Sequence, residues 1–227
     1  MSDETWVPGD DDPLEGTPYR ITKRLGGGAM GEVFEAEHVP LARRVVVKIL
    51  RERFSDRPDV IDRMRVEGQA LARLSHPNLV AVSDFGQSAS GRTYLVLEHL
   101  EGKDLEAELA ERGALAPGVA IDLARQVLAG LGTAHAIGVV HRDLKPANVF
   151  LTTDREGRRT VKVLDFGIAK LTDDAKSRAA GIAPLLLPTA PAAILGTPRY
   201  MAPEQIDGRA VDARTDLYAT GMLLYRM

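Results

Sequence analysis

The chain has 227 residues, 44% of them hydrophobic and 27% charged, with a formal net charge of -3. A chain this apolar can bury a core, which excludes disorder throughout, and the acidic balance disfavours nucleic acid as a partner. With no cysteine, disulfides, iron–sulfur clusters and thiolate zinc sites are excluded; the five histidines are scattered, with no His-Glu-x-x-His pair to hold a metal.

Met1 to about Pro18 is acidic, rich in Gly and Pro, and lacks the basic start and apolar run of a secretory signal. It reads as a disordered leader. Short strands follow. Tyr19 to Leu25 and Glu32 to Glu37 alternate, and Arg44 to Leu50 is a β-branched run. Glycine-rich turns between the first two predict an antiparallel meander. A helix is expected over Pro58 to Leu74, capped by Ser55 or Asp56, with Pro58 in its first turn and Val60, Met64, Leu71 and Leu74 near one face. Gly68 in its middle costs about 1 kcal/mol against Ala. Asn78 to Phe85 and Thr93 to Glu98 read as two more strands.

Beyond Leu105 the character changes. Val119 to Ala136 predicts a long amphipathic helix, with Ile121, Ala124, Val127, Leu128, Leu131 and His135 at helical spacing and Gly138 ending it. Asn148 to Leu151 and Val161 to Leu164 are strand-like. Ala179 to Pro198 is uncharged and long enough for a membrane helix, but Pro184, Pro188, Pro191 and Pro198 break helical bonding, so it reads as a loop. Asp216 to Met227 reads as an apolar helix. The picture is a small β-rich lobe followed by a larger, mainly helical one.

Four segments carry chemistry. Gly26, Gly28 and Gly31 form a G-x-G-x-x-G pattern, which lets backbone N–H groups approach a phosphate. A dinucleotide fold would open a helix here, whereas the residues after Gly31 alternate like a strand. Lys48 ends an apolar strand, either snorkelling to solvent or pairing with nucleotide phosphates, with Glu67 on the next helix to orient it. Val140-His-Arg-Asp-Leu-Lys-Pro-Ala-Asn148 packs six polar or proline-fixed residues between apolar runs. An acid that takes a hydroxyl proton and an amide that holds a metal, five residues apart, suit phosphoryl transfer. Asp165, before Phe166 and Gly167, suits a second metal ligand on a hinge or, more plainly, an Asx-type turn.

These residues, with Ala202-Pro-Glu204, stand in the order and spacing of the bacterial eukaryotic-like (Hanks-type) serine/threonine protein kinases, which the chain closely resembles from Tyr19 to its last residue. The resemblance implies an α+β, two-lobe protein-kinase-like fold: leader 1–18, β-rich N-lobe 19–100 and an incomplete, mainly helical C-lobe 101–227. It implies ATP and Mg²⁺ as cofactors and Ser/Thr hydroxyls of proteins as acceptors, the chain itself included. By resemblance the glycine loop, Leu25, Gly26, Gly27, Gly28, Ala29, Met30, Gly31, Glu32 and Val33, covers the ATP phosphates. Lys48 contacts them and is held by Glu67. Asn148 and Asp165 ligate Mg²⁺, Asp143 accepts the substrate proton and Lys145 stabilises the moving phosphoryl group. Adenine sits against Leu25, Val33, Val46 and Phe150, bonds the backbone at Glu98 and Leu100, and is backed by Leu97. Val46 replaces the usual alanine and narrows that pocket.

Thr197 is expected near Asp143. Arg142 resembles the arginine that pairs a phosphorylated activation loop, where Thr172, Ser177 and Thr189 offer hydroxyls. Asp216 is expected to brace the backbone of the catalytic loop. Two departures concern the end of the chain: the usual arginine partner of Glu204 is absent, which leaves a buried acid unpaired, and the last helix exposes an apolar face. An inactive fragment or a pseudokinase-like binding module is therefore the alternative. A cytoplasmic location is expected, with a parent chain free to be membrane-anchored downstream; a homodimer is a candidate assembly.

Overall fold

The structure, a computed structural model, describes residues 12–28, 31–154, 156–166 and 198–227. Residues 1–11, Ala29, Met30, Arg155, and residues 167–197, with Thr172, Ser177, Thr189 and Thr197 among them, lie outside the described residues. The chain divides into two compact units, residues 1–73 with 81–100, and residues 74–80 with 101–227.

The first unit holds β1 (Tyr19–Gly27), β2 (Gly31–His38), β3 (Arg43–Leu50), α1 (Pro58–Ala72), β4 (Val82–Gln87) and β5 (Thr93–Glu98). They form an antiparallel sheet of order β1-β2-β3-β5-β4. Alternation along β3 explains its two faces. Val45, Val47 and Ile49 join Ile21, Phe34, Ala36, Tyr94 and Val96 in one core, so Val46 and Lys48 face the other side. On that other side α1 packs Val60 and Met64 on Leu50 and Leu95. Each such burial stabilises by roughly 1.5–3 kcal/mol. A Cβ at Gly68 would lie 2.9 Å from Leu95 Cδ1, so the glycine that weakens the helix also lets it approach β5.

Two expectations fail here. Neither Ser55 nor Asp56 caps α1: a preceding turn takes up Ser55, whose N–H donates to Glu52 O at 2.8 Å, and Arg57 stands at the N-cap without a side-chain capping bond. Asp12–Pro18, assigned by composition to a disordered leader, is structured. Asp12 Oδ1 accepts the Leu14 N–H at 2.9 Å, the Glu15 carbonyl accepts the Ala89 N–H at 2.8 Å, and Leu14, 1% exposed, sits in the core with Tyr19. One apolar anchor outweighs the polar composition around it.

The second unit holds β6 (Gly102–Asp104), α2 (Leu105–Arg112), α3 (Pro117–Ala136), β7 (Val149–Thr153), β8 (Arg159–Val163), α4 (Pro203–Ile206) and α5 (Ala213–Arg226), with a sheet of order β6-β7-β8. The sequence reading passed over α2, although its ends are marked: Asp104 accepts the Ala107 N–H at 2.7 Å as N-cap, and Gly113 follows the last turn at φ 73°. In α3 the buried stripe is Ala120, Leu123, Ala124, Val127, Leu131 and Ala134, whereas Ile121 and Leu128 are exposed. The helical period was legible, but the packed face takes in Ala120, Leu123 and Ala134 and leaves out Ile121 and Leu128. Leu74–Val80 belongs to this unit, not to a strand of the first: the Val80 N–H donates to Val163 O at 3.1 Å and Asn78 Nδ2 to Val161 O at 2.9 Å. Helix α5 buries Thr215, Asp216, Ala219, Thr220 and Leu223 and exposes Leu217, Leu224 and Tyr225. No helix among the described residues is long and apolar enough to cross a membrane.

Candidate active site

In the first unit the glycine segment is a turn between two antiparallel strands, Gly26 pairing with Val33 and Gly27 with Glu32. That is the strand–turn–strand context expected, and no helix opens there. The Gly28 N–H donates to Gly31 O at 2.8 Å and the Gly28 carbonyl accepts Arg51 Nε–H at 3.1 Å. Gly28 is thus not a free donor here, contrary to the simple reading of a glycine loop. Arg24 and Glu32 pair across the turn at 2.8 Å. The glycines differ in kind. A Cβ at Gly31 would stand 2.8 Å from Ile49 O, while at Gly26 and Gly28 it would meet nothing within 4 Å. The protein's own packing demands the first and leaves space at the other two.

Register places Val33 beside Lys48, Lys48 beside Leu95 and Val46 beside Leu97. Val33, Val46, Lys48 and Leu97 are all half-buried on the face away from the main core. Leu97 packs against the α1 cluster, and Leu25 is 43% exposed. Glu67 lies on α1, but its side chain is outside the described residues. Glu98 is doubly bonded to Ala81: its N–H donates to Ala81 O at 3.0 Å and its Oε1 accepts the Ala81 N–H at 2.8 Å.

In the second unit His141, Arg142, Asp143, Lys145 and Asn148 form one bonded loop. His141 is fully buried. Its Nε2–H donates to Leu164 O at 2.8 Å, so Nδ1 carries the lone pair that accepts the Asp143 N–H at 3.2 Å. Burial drives its pKa below the usual histidine value, in keeping with this neutral tautomer. Its ring lies 4.7 Å from that of Phe166, which ties the loop to the segment carrying Asp165. Lys145 Nζ stands 3.1 Å from Asp143 Oδ2. Asn148 Nδ2 donates to Asp143 O at 2.8 Å, which leaves Oδ1 as the acceptor atom of that amide. Phe150 is half-buried on β7, paired with Asp104 and Lys162.

Two residues of this loop region sit at positive φ without being glycine, Arg142 at 66° and Asp165 at 43°. Such strain persists only where surroundings impose it. At Arg142 they do. Asp216, buried on α5, accepts the His141 N–H at 2.8 Å on Oδ2 and the Arg142 N–H at 2.9 Å on Oδ1, and His135 Nε2 meets the same Oδ2 at 2.7 Å. A cleft beside Asp143 is lined by Arg142, Asp143, Leu144, Lys145, Tyr200 and Met201. Tyr200 and Met201 belong to the Gly196–Glu204 segment that resembles the serine/threonine branch, but residue type alone does not put them beside Asp143. Glu204 is half-buried and not orphaned: Thr215 Oγ1–H donates to its Oε1 at 2.6 Å, and that hydroxyl first of all lowers its pKa. Threonine supplies the partner that was expected to be missing.

Among the described residues no group of three His, Cys, Asp or Glu could hold a metal by itself. One amide oxygen and one carboxylate, Asn148 and Asp165, fit Mg²⁺ shared with phosphate oxygens and water rather than a cation held by protein alone.

The chain matches the family model of the protein kinase domain over residues 19–227. It is 41% identical to serine/threonine-protein kinase pkn3 of Myxococcus xanthus, over 92% of this chain and 37% of that protein. It is 38% identical to serine/threonine-protein kinase PknA of Mycobacterium tuberculosis, over 91% and 46%. The chain thus spans less than half the length of these relatives. Among solved structures it resembles the Mycobacterium tuberculosis PknI kinase domain, with a TM-score of 0.69 and 28% identity, covering 95% of this chain and 76% of that one.

Proposed function

Because the chain belongs to the protein kinase domain family, we propose that it transfers the ATP γ-phosphoryl group to Ser/Thr hydroxyls of proteins, itself included. The observation that carries this reading is Asp143, with Lys145 Nζ 3.1 Å from its carboxylate and Asn148 bonded to its carbonyl at 2.8 Å.

Asp143 orients the acceptor hydroxyl and takes its proton as the oxygen bonds to phosphorus and ADP leaves. Lys145, already at that carboxylate, meets the charge on the transferring group. Such positioned charges supply most of the catalysis in phosphoryl transfer. Mg²⁺, when bound, neutralises the phosphate oxygens, and Asn148 and Asp165 are the residues that hold it. In the first unit Lys48 takes the α- and β-phosphates, with Glu67 as its partner, and the loop from Leu25 to Val33 covers them. Open space at Gly26 and Gly28 supports that approach. Val33, Val46 and Leu97 contact adenine. The Glu98 N–H is committed to Ala81, so the adenine contact of that residue falls to its carbonyl, and Leu100 supplies the N–H. Arg142 receives a phosphorylated loop hydroxyl.

The test is transfer of labelled γ-phosphate to the chain and to a Ser/Thr peptide pool, against Asp143→Asn. Loss of both in the variant is expected. Equal transfer by the variant overturns the assignment of Asp143.

A further inference from the structure

The peptide units on either side of Arg142 are held from both ends. Asp216 Oδ1 accepts the Arg142 N–H at 2.9 Å. At the other end Gln205 Nε2–H donates to the Arg142 carbonyl at 2.7 Å. Between these bonds the backbone sits at φ 66°, a conformation a side-chain-bearing residue leaves unless it is held. The carbonyl in question belongs to the peptide that leads into Asp143. Gln205 is itself fixed, since its Oε1 accepts the Ala202 N–H at 3.1 Å, the half of a capping box that a residue three positions into a helix provides. One amide therefore joins the start of α4 to the strained residue before the proposed proton acceptor, using its acceptor for the first and its donor for the second.

We propose that Gln205 is a positioning residue for Asp143, an inference that rests on the kinase reading above. The Gln205 donor holds the Arg142 carbonyl, and with it the direction in which the Asp143 backbone leaves the left-handed residue. Released from Gln205, that peptide rotates toward an ordinary φ and carries the Asp143 carboxylate off the acceptor oxygen. The rate of transfer suffers; nucleotide binding does not. The geometry also gives α4 a role: a rearrangement of Ala202–Ile206 is felt at Asp143 through this side chain.

Two variants of the full chain separate this role from helix capping. Gln205→Glu keeps an acceptor for the Ala202 N–H and loses the donor to Arg142. Gln205→Met keeps the length and loses both. Positioning predicts that kcat falls about ten- to a hundredfold in both variants, with KM for ATP within about twofold. If Gln205 only caps α4, Gln205→Glu keeps the wild-type kcat and Gln205→Met alone declines, with a lowered Tm. That outcome overturns the proposal, as does a parallel rise in KM for ATP in both variants. Wild-type chain and Asp143→Asn run alongside. Absence of any Asp143-dependent transfer in the wild type sinks the kinase reading itself. Transfer that is present but indifferent to Gln205→Glu sinks only the inference about Gln205.

Discussion

Asp216 and Arg142, 74 residues apart in sequence, meet in a buried hydrogen bond of 2.9 Å that holds Arg142 at a positive φ. The same carboxylate also takes the His141 N–H. An acid on α5 thus satisfies two buried backbone donors at once, one on each oxygen. Asp216→Ala leaves both donors and a strained backbone unsupported. We expect a loss of about 3 kcal/mol in urea unfolding together with loss of phosphoryl transfer. A variant of wild-type stability would show that the loop keeps its shape without Asp216.

The glycines of the β1–β2 turn make a prediction that separates folding from ligand approach. Gly31→Ala drives a Cβ to 2.8 Å from Ile49 O, so it should destabilise by roughly 1–3 kcal/mol. Gly28→Ala meets open space and should change stability by less than about 0.5 kcal/mol. Its KM for ATP should nevertheless rise, because the added methyl occupies the path of the phosphates. Thermal melts and ATP titrations of both variants check this. An unchanged KM in Gly28→Ala removes the phosphates from this turn.

His141 predicts a pH dependence. Burial lowers its folded pKa below the ordinary 6.5, so below that value the unfolded chain binds a proton that the folded chain refuses. The stability contributed by neutral His141 is therefore complete above pH 6.5 and is lost as pH falls toward the folded value. The unfolding free energy should decline as pH falls below about 6.5, and His141→Gln should flatten that slope. An identical slope in the variant would assign the decline to other groups.

Leu14 gives a prediction about the segment before β1. It is 1% exposed and packs in the core that holds Tyr19, Phe34 and Val47. Leu14→Ala should cost about 2–3 kcal/mol. Its denaturant midpoint decides the matter; a small effect would mean the segment is not docked in solution.

What the sequence could say depended on how local the information was. The run from Val140 to Asn148 was legible because its chemistry needs an acid, a lysine and an amide within a few positions, and no ordinary loop collects them. The first strands were legible because Tyr19–Leu25 and Glu32–Glu37 alternate and Arg44–Leu50 is a β-branched run. Helix α2 also lay open to a sequence reading, with Asp104 and Gly113 marking its ends. Other features had no local signal. Leu14 is one apolar residue in an acidic stretch, and only the core that receives it distinguishes it from a leader. The packed face of α3 takes in Gly130, where a Cβ would stand 2.9 Å from Asn78 O, and close approach is a property of two segments, not of one. Glu204 looked orphaned until Thr215 came within 2.6 Å. By itself the sequence determined which groups are available for phosphoryl transfer. Tertiary structure decided which backbone they stand on, since the bonds from Asp216 and Gln205 to Arg142 join residues 74 and 63 positions apart, and a strained conformation is held only by partners that folding brings to it.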